Sequence, residues 1–397
     1  MISTDKGLFE DGAPVRARLL EQSELVSSID VVVLTPKGER FKKTKLGKRL
    51  TLHPTASTGR FAYLSDAYNI SKEILRTEVE GKWLITAQDP FFIGALGYIL
   101  SRQFHTPLHL QLHTDPSNLI WKTARLRNRF EVLIARFLLT HADGVRVVSE
   151  RVRHFVLALG VSPEKITVVP IWVDVEKFEK GVAQFDLHRS YPSFSRIILS
   201  MGRLEPEKNY FKLIKVFAQI LKAHDDTMLL IVGSGSERER LTILARSLGI
   251  ENAVVLLPWA RDVVSYYKTS DIYVQPSFYE GWGMAVIEAM SAGLPVVMTD
   301  VGCAGEIVRN EETGLVVPVG DEEMLHLALR RLLEDNQLRV TLGLSGQEEV
   351  KKLATKEETM RLYKESWQKA YGKTAEKVVS VTKKRTTKPR VHEERTK

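Results

Sequence analysis

Short apolar runs alternate with amphipathic stretches along almost the whole chain. Runs of four or five residues rich in Val, Ile and Leu predict buried strands, for example at 30–34, 108–112, 196–200 and 228–232. Longer stretches have the apolar spacing of helices, for example at 14–26, 63–75, 119–139 and 210–224. Because strands and helices alternate, the pattern predicts mostly parallel, doubly wound α/β sheets, which bind ligands beyond the carboxyl ends of their strands.

The alternation is interrupted once, at residues 171–191, where the periodicity is weak and predicts a linker. We therefore predict a first Rossmann-like domain over residues 1–175 and a second over 176–352. An amphipathic helix at 353–372 is expected to pack back on the first domain and to end at Gly372. Residues 373–397 are polar and basic, which is typical of a disordered tail.

The composition is that of a soluble globular protein large enough for two domains: 397 residues, of which 44% are hydrophobic and 27% charged. The single cysteine, Cys303, excludes a disulfide framework and a cysteine-based metal site and fits a reducing compartment. Residues 1–12 lack the apolar core of a signal peptide, and no apolar run reaches the length of a membrane span. We expect a cytoplasmic protein, with peripheral association at the cytoplasmic face of a membrane as a further option.

The net charge of +8 is distributed unevenly. Residues 373–397 hold nine Lys/Arg against three Glu, and a predicted basic loop near 37–49 holds seven against one. The predicted helix at 119–139 is also basic. One hypothesis is that the basic residues of the first domain hold the protein on an anionic membrane surface, and a solvated basic face is an equally good explanation. The tail lacks interleaved aromatic residues, so we expect no specific nucleic-acid binding.

The most informative stretch is 275–297, which reads QPSFYEGWGMAVIEAMSAGLPVV. Its glycines predict a loop that leads into a helix, with Glu280 in the loop and Glu288 just inside the helix. The first backbone N–H groups of such a helix have no partners, and together with two carboxylates they suit a ligand that carries both phosphate and hydroxyl groups. The alternative is a buried helix with a glycine-rich entry and two incidental glutamates.

Further candidates follow other predicted strands. In GRLEPEKN, residues 202–209, Arg203 and Lys208 could neutralise a diphosphate, although both could instead pair with neighbouring glutamates. The string GSGS at 233–236 favours a tight strand-to-helix turn over a dinucleotide loop. His113 ends the predicted strand at 108–112, where a functional role competes with simple pairing to Asp115.

Taken together, these strings resemble the retaining glycosyltransferases of family 4, the group 1 enzymes that include glycogen-synthase-like and mannosyltransferase-like members. The resemblance covers about residues 12–371 and is carried by SMGRLEPEKN, LIVGSGSER, DIYVQPSFYEGWGMAVIEAMSAGLPVVMTD, GCAGEIV and ETGLVVPVGD. It implies a GT-B fold, in which two doubly wound Rossmann-like domains enclose the active site in the cleft between them. The first domain would receive the acceptor and the second the nucleotide-sugar donor.

The resemblance also implies roles for single residues. Arg203 and Lys208 would bind the leaving diphosphate, Glu280 the donor sugar and Glu288 the ribose hydroxyls, while His113 would face the transferred sugar from the first domain. The implied catalytic residues are therefore His113, Arg203, Lys208 and Glu280. The implied donor-binding residues are Gly12, Gly202, Arg203, Lys208, Trp259, Glu280, Gly281, Trp282, Gly283, Met284, Ala285, Val286 and Glu288.

The implied activity is a retaining, metal-independent transfer of a sugar from a UDP-, GDP- or ADP-sugar to a glycan or lipid-linked acceptor, without a further cofactor. Trp259 and Ala260 stand where many members have a glycine near the nucleobase, which leaves the base open. A non-catalytic nucleotide-sugar-binding or scaffold protein on the same fold is the main alternative. A GT-B synthase or phosphorylase would differ only in its acceptor.

Overall fold

The structure, a computed structural model, describes residues 1–59, 61–77, 83–124 and 126–385. The strands are β1 (Ile2–Ser3), β2 (Ile29–Val33), β3 (Thr44–Leu46), β4 (Leu50–Pro54), β5 (Ile85–Ala87), β6 (Leu108–Leu112), β7 (Gly144–Val147), β8 (Ile166–Val168), β9 (Arg196–Met201), β10 (Thr227–Val232), β11 (Val254–Leu257), β12 (Ile272–Gln275), β13 (Val296–Thr299) and β14 (Leu315–Val317). The helices are α1 (Pro14–Ser23), α2 (Tyr63–Arg76), α3 (Phe92–Phe104), α4 (Leu119–Ala124), α5 (Leu126–His141), α6 (Glu150–Ala158), α7 (Val175–Lys180), α8 (Leu187–Ser190), α9 (Tyr210–Ile220), α10 (Arg238–Ser247), α11 (Val263–Lys268), α12 (Met284–Ser291), α13 (Glu322–Glu334), α14 (Asn336–Val350) and α15 (Lys356–Arg385).

The strands form two sheets, as the alternating pattern predicts. The first has the order β3-β4-β2-β1-β5-β6-β7-β8 and is parallel except for β3, and the second has the order β11-β10-β9-β12-β13-β14 and is parallel throughout. Most strand residues are buried on both faces of the sheet, because helices cover both sides. The predicted doubly wound α/β class is therefore confirmed.

Each sheet has a point where the strand order changes direction. In the first sheet it lies between β1 and β5, and in the second between β9 and β12. Loops diverge at such a point and leave a crevice at the carboxyl ends of the strands. The segments 202–209 and 276–283 follow β9 and β12, so the fold brings two of the predicted motifs to one crevice.

The last helix, α15, packs against β6, β7 and β8 of the first sheet. The contact is close, because a β-carbon on Gly144 would lie 2.7 Å from Cβ of Ala370. Tyr363 and Trp367 of α15 are buried in the apolar cluster beneath this sheet. The domain boundary between residues 175 and 176 remains a proposal, and it falls at the start of α7.

Two segments expected to be irregular contain regular structure. The predicted basic loop includes β3, which pairs antiparallel with β4 through a turn at Gly47 (φ 61°). With Lys45 at its centre and Leu46 as its one apolar residue, β3 has no apolar run that would predict it, and a charged edge strand resists further pairing. The predicted linker contains α7 and α8, which are capped by Asp174 and Asp186 but are too short for a periodic pattern.

Two helix boundaries also need correction. The helix predicted at 119–139 is described as α4 and α5, on either side of residue 125, which lies outside the described residues. Helix α14 was missed because glycines form part of its buried face: a β-carbon on Gly343 would lie 2.4 Å from the carbonyl oxygen of Gly293. Helix α15 does not end at Gly372 but continues to Arg385, so the first half of the predicted tail is helical, and residues 386–397 lie outside the described residues.

None of the described helices is long and apolar enough to cross a membrane.

Candidate active site

The loops after β9 and β12 are tied to each other at the switch point of the second sheet. Residues Pro206–Lys208 form a single 3-10 turn, and Asn209 follows in the left-handed conformation (φ 56°). This turn aims the Asn209 side chain at the neighbouring loop, where Nδ2 donates a hydrogen bond to the carbonyl oxygen of Pro276 (3.0 Å). The backbone N–H of Phe278 donates in return to the carbonyl oxygen of Glu207 (2.8 Å). The two predicted motifs are thus one connected surface.

Lys208 and Glu280 meet on this surface. Nζ of Lys208 lies 2.5 Å from Oε1 of Glu280, and the hydroxyl of Ser277 donates to the same oxygen at 2.7 Å. Both charged side chains are largely buried, with 15% and 13% exposed. A charge-assisted pair held by a third group is a preorganised arrangement, because neither side chain is free to rotate away. Ser277 was not predicted as a site residue. The one sequence signal that could have found it is its position in the same loop, three residues before Glu280.

Arg203 is placed differently. Its side chain is 72% exposed and donates to Oε1 of Glu207 (2.8 Å). Glu205 accepts from both the backbone N–H (3.0 Å) and the hydroxyl (2.8 Å) of Ser236. The internal pairing weighed from the sequence therefore holds for Arg203, whereas Lys208 points into the crevice.

The GSGS segment is a packing turn. A β-carbon on Gly233 would lie 1.8 Å from the carbonyl oxygen of Gly202, and one on Gly235 would lie 2.4 Å from that of Leu204. These glycines let the loops after β9 and β10 touch, which is the interpretation favoured from the sequence. Gly202 contributes its backbone to the same contact.

Helix α12 begins at this crevice with its N-terminus uncapped. Gly283 is the N-cap residue and is left-handed (φ 102°), so no side chain satisfies the first N–H groups of Met284 and Ala285. The N–H of Val286 already bonds to the carbonyl oxygen of Gly283 (3.0 Å). The indole of Trp282 is buried in the apolar core, so only the backbone of Trp282 faces the loop. A helix N-terminus of this kind attracts an anion.

Glu288 lies just over one turn into α12. Burial raises the pKa of its carboxyl group to about 7, against the opposing effects of a hydrogen bond from Tyr267 and the charge of Lys177. The Tyr267 hydroxyl donates to Oε2 of Glu288 at 2.9 Å. The two carboxylates of the stretch thus differ: Glu280 is paired with a cation, and among the described residues the side chain of Glu288 has only the phenol of Tyr267 as its hydrogen-bond partner.

His113 faces this surface from the end of β6. A β-carbon on Gly281 would lie only 1.7 Å from the carbonyl oxygen of His113, so the backbones of the two sheets' loops touch there. Nε2 of His113 is buried, and no described residue bonds to it. Asp115 does not bond to this nitrogen, and its Oδ1 accepts instead from the backbone N–H of Ser117 (2.8 Å). The structural explanation weighed from the sequence therefore fails.

A buried cation that the sequence did not reveal lies near His113. The guanidinium of Arg146 on β7 donates to Oε1 of Gln111 (3.0 Å) and to the carbonyl oxygen of Val169 (3.0 and 2.6 Å), and it lies 4.5 Å from the ring centre of Tyr363. Burial, followed by the charges of Arg146 and Arg18, lowers the pKa of His113 to about 3. The imidazole is therefore neutral at physiological pH. An arginine within a strand carries no sequence signal that it is buried beside a functional histidine and lowers its pKa.

Other contacts hold the two sheets' loops together. Nδ2 of Asn118 donates to the carbonyl oxygen of Phe278 (3.0 Å), and the N–H of Glu150 donates to Oε2 of Glu306 (3.0 Å). Arg151 forms an ion pair with Asp300 and donates to the carbonyl oxygen of Ala304 (3.1 Å). The cleft is closed in this structure.

The remaining predicted residues lie at the margins. Gly12 forms a left-handed turn (φ 79°) before α1, with open space where a side chain would be. Trp259 is 61% exposed in the loop after β11, and its backbone N–H lies 3.4 Å from the Ser234 hydroxyl. Within the described parts of the chain, no group of three or more His, Cys, Asp or Glu could hold a metal ion.

Two family models match the chain. One, described as glycosyl transferases group 1, matches residues 188–349, and the other, described as glycosyltransferase family 4, matches residues 23–177. The first match covers all strands of the second sheet, and the second covers the strands of the first sheet other than β1. The chain belongs to the group 1 glycosyltransferases of the family 4 type.

Similar proteins agree with this assignment. The chain is 30% identical over 188 residues to the UDP-Gal:α-D-GlcNAc-diphosphoundecaprenol α-1,3-galactosyltransferase of Escherichia coli, which covers 46% of this chain and 49% of the relative. It is 28% identical over 259 residues (62% and 67% of the two chains) to the N-acetylgalactosamine-N,N'-diacetylbacillosaminyl-diphospho-undecaprenol 4-α-N-acetylgalactosaminyltransferase of Campylobacter jejuni. The match therefore spans about half the length of the first relative.

A solved structure resembles the whole fold. The sucrose-phosphate synthase of Thermosynechococcus elongatus superposes with a TM-score of 0.74 over 92% of this chain and 94% of its own, at 23% sequence identity. This likeness confirms the predicted GT-B fold.

Proposed function

We propose that the protein is a retaining, metal-independent glycosyltransferase that moves a sugar from a nucleotide-diphosphate sugar to a glycan or lipid-linked acceptor. One observation carries the proposal: the Lys208–Glu280 pair lies beside the uncapped N-terminus of α12, opposite a neutral His113. A cation, a helix N-terminus and a carboxylate are the groups that a sugar diphosphate requires.

The charges suit the breaking of a sugar–diphosphate bond. Negative charge grows on the leaving diphosphate, where Lys208, Arg203 and the first N–H groups of α12 stabilise it. In the absence of donor, the Lys208 ammonium is neutralised by Glu280, so an incoming diphosphate competes for it. Glu280 is then available to the hydroxyls of the sugar, and Arg203 can swing from Glu207 to the phosphates because its side chain is exposed. These two cations take the place that a divalent metal has in other transferases.

The acceptor class is proposed from the relatives. Both curated relatives named above are called transferases that act on a diphosphoundecaprenol-linked sugar. We propose a lipid-linked or glycan acceptor that enters from the first domain. The base and the sugar of the donor stay open among UDP-, GDP- and ADP-sugars, and thermal-shift measurements with each would select one, since a ligand that binds the native state raises its stability.

The test of the activity uses two site variants with matched controls. We expect Lys208→Ala and Glu280→Gln to abolish donor turnover, with circular dichroism spectra like that of the wild type. Lys222→Ala and Glu239→Gln, which change exposed residues on the second domain, should turn over normally. Near-normal turnover in either site variant would refute the proposal, and donor binding without turnover in the wild type would indicate a non-catalytic binder.

The stereochemistry and the metal requirement need separate measurements. A retaining enzyme gives a product with the anomeric configuration of the donor, which NMR of the isolated glycoside reads directly. Turnover should be unchanged after dialysis against EDTA. An inverted product, or activity restored by a divalent cation, would contradict these two parts of the proposal and leave the transferase assignment standing.

The first domain presents a surface suited to a membrane. On α5 the residues Leu126, Phe130, Leu133 and Phe137 are exposed although they are apolar, and Leu119 of α4 is also exposed. Exposed arginines, Arg127, Arg129 and Arg136, lie among them, while the opposite side of α5 is buried in the domain. An apolar stripe flanked by arginines is the pattern of a helix that lies in the interface of an anionic bilayer. We propose that this surface holds the protein at a membrane.

Sedimentation with vesicles tests the membrane proposal. The wild type should pellet with phosphatidylglycerol-containing vesicles at low salt. Leu133→Ser should weaken this binding strongly, whereas Leu344→Ser on α14, a leucine with the same 60% exposure, should not. No binding of the wild type to anionic vesicles, or equal loss in both variants, would overturn it.

A further inference from the structure

A cavity lies at the edge of the first sheet that faces away from the candidate active site. It has a volume of about 430 Å³ and is bounded by the amino ends of β1, β2 and β5, by the second half of α2 and by α15. Its walls are mostly apolar and include Ile29, Ile74, Leu75, Ile85 and Leu100. The size and lining are those of a small-molecule site. Because the donor and acceptor groups lie at the carboxyl ends of the strands, this cavity belongs to neither.

Three hydrogen-bond donors that line the cavity have no partner. The indole nitrogens of Trp83 and Trp367 and the hydroxyl of Ser71 are buried, and no described residue bonds to them. Trp367 and Ser71 are each only 6% exposed. An unpaired buried polar group lowers the stability of a fold, so three around one cavity require an explanation.

The donors limit the chemistry of an occupant. An indole N–H can only donate, so the ligand must bring acceptor atoms, and the apolar walls require the rest of it to be hydrocarbon. The one charged group of the lining on α15, Lys364, is exposed and forms no ion pair within the described residues. Asp30, a carboxylate in the lining, is already bound by Nε2 of His53 (2.8 Å). Lys364 is therefore the side chain of this lining that offers an unpaired positive charge to a ligand, while the carboxylate of Asp30 is held by His53.

We propose that this cavity binds a single acyl chain whose head carries acceptor oxygens, with the tail among the isoleucines and leucines and the head at Trp83, Trp367 and Ser71. The source can be a free fatty acid or a one-chain phospholipid. Since α15 forms one wall and belongs to the end of the chain that follows the second domain, an occupant would hold this helix on the first domain. The proposal does not depend on the transferase activity.

The binding can be measured with the full chain and no nucleotide sugar. Trp83 and Trp367 report occupancy through their fluorescence, so dodecanoate titrated below its micellar concentration should give a saturable change. Dodecanol, which lacks the carboxylate, should bind more weakly. A lysophospholipid with the same chain separates the sources: equal binding assigns the site to lipid acyl chains, and weaker binding assigns it to fatty acids.

Two conservative variants locate the site. Trp367→Phe and Ser71→Ala each remove one unpaired donor and should weaken dodecanoate binding about tenfold. Trp259→Phe, an exposed tryptophan elsewhere, should bind dodecanoate as the wild type does. In the absence of ligand, Ser71→Ala should be at least as stable as the wild type, because an unsatisfied group is removed. The proposal is overturned if neither dodecanoate nor the lysophospholipid gives a saturable signal, or if Trp367→Phe and Ser71→Ala both bind dodecanoate with the affinity of the wild type.

Discussion

Glu288 is a buried carboxyl group whose ionisation lowers the stability of the folded protein. Burial raises its pKa in the folded protein to about 7, above the value of 4.5 for an exposed glutamate. The folded state therefore holds the proton more tightly than the unfolded state. The stability from this group is fully present below about pH 4.5 and is lost as the pH rises through about 7. At neutral pH and above, the protein carries a carboxylate that destabilises it.

We expect Glu288→Gln to be more stable than the wild type at pH 8, by up to about 3 kcal/mol, because the amide cannot ionise. The difference should shrink towards pH 5. Urea unfolding at the two pH values measures both, with Glu239→Gln as an exposed control. Nucleotide binding by the variant should weaken in the same samples. A stability difference that does not depend on pH would contradict the assignment of the raised pKa to this carboxyl group.

His113 has the opposite shift. Because burial and the guanidinium of Arg146 lower its pKa to about 3, we expect a neutral imidazole throughout pH 5–8. Nitrogen NMR shifts of His113, assigned by comparison with His113→Gln, should not titrate in this range. In Arg146→Met the cation is lost but the burial remains, so the pKa of His113 should rise part of the way towards 6.5. A midpoint near 6.5 in the wild type would show that the ring is open to solvent.

At the scale of elements, the sequence was informative where burial alone decides the structure. The strands of the second sheet are continuous apolar runs, since both of their faces are covered, and they were predicted closely. Elements with a mixed environment were missed: β3 is a three-residue edge strand with a lysine at its centre, and α14 is buried through glycines. The candidate site follows the same rule. Lys208 and Glu280 were predicted separately, but they are 72 residues apart, so only the fold could show that they pair.

A substitution at Gly372 can test whether α15 continues past this residue. The residue lies inside the helix, is not left-handed, and has open space where a β-carbon would lie. Gly372→Ala should therefore stabilise the helix by about 1 kcal/mol. Hydrogen exchange of the α15 amides should slow in the variant. If Gly372 were the C-cap that the sequence suggested, alanine would instead be strained there and exchange would become faster.

For the whole molecule, the closed cleft depends on one backbone contact more than on its ion pairs. Arg151 and Asp300 are partly exposed, and such pairs contribute little. The loops at Gly281 and His113 are in direct backbone contact, and only a glycine leaves room for it. Lys208, Glu280 and Glu288 all come from the loops and helix of the second sheet, so under the proposed function we expect them to hold a nucleotide without closure. On the same proposal, His113 faces the transferred sugar only when the cleft is closed.

Gly281→Ala should therefore separate binding from transfer. The added methyl group would overlap the carbonyl oxygen of His113 and keep the cleft ajar, while each sheet keeps its own core. We expect nucleotide affinity within about threefold of the wild type, and transfer reduced about 100-fold, because a displacement of about 1 Å has this effect on a reacting geometry. Small-angle scattering should show a larger radius of gyration, a readout that requires no activity. Gly372→Ala, the same substitution at an open position, should change neither the radius of gyration nor the rate of transfer. A Gly281→Ala protein with the scattering and turnover of the wild type would show that closure does not depend on this contact.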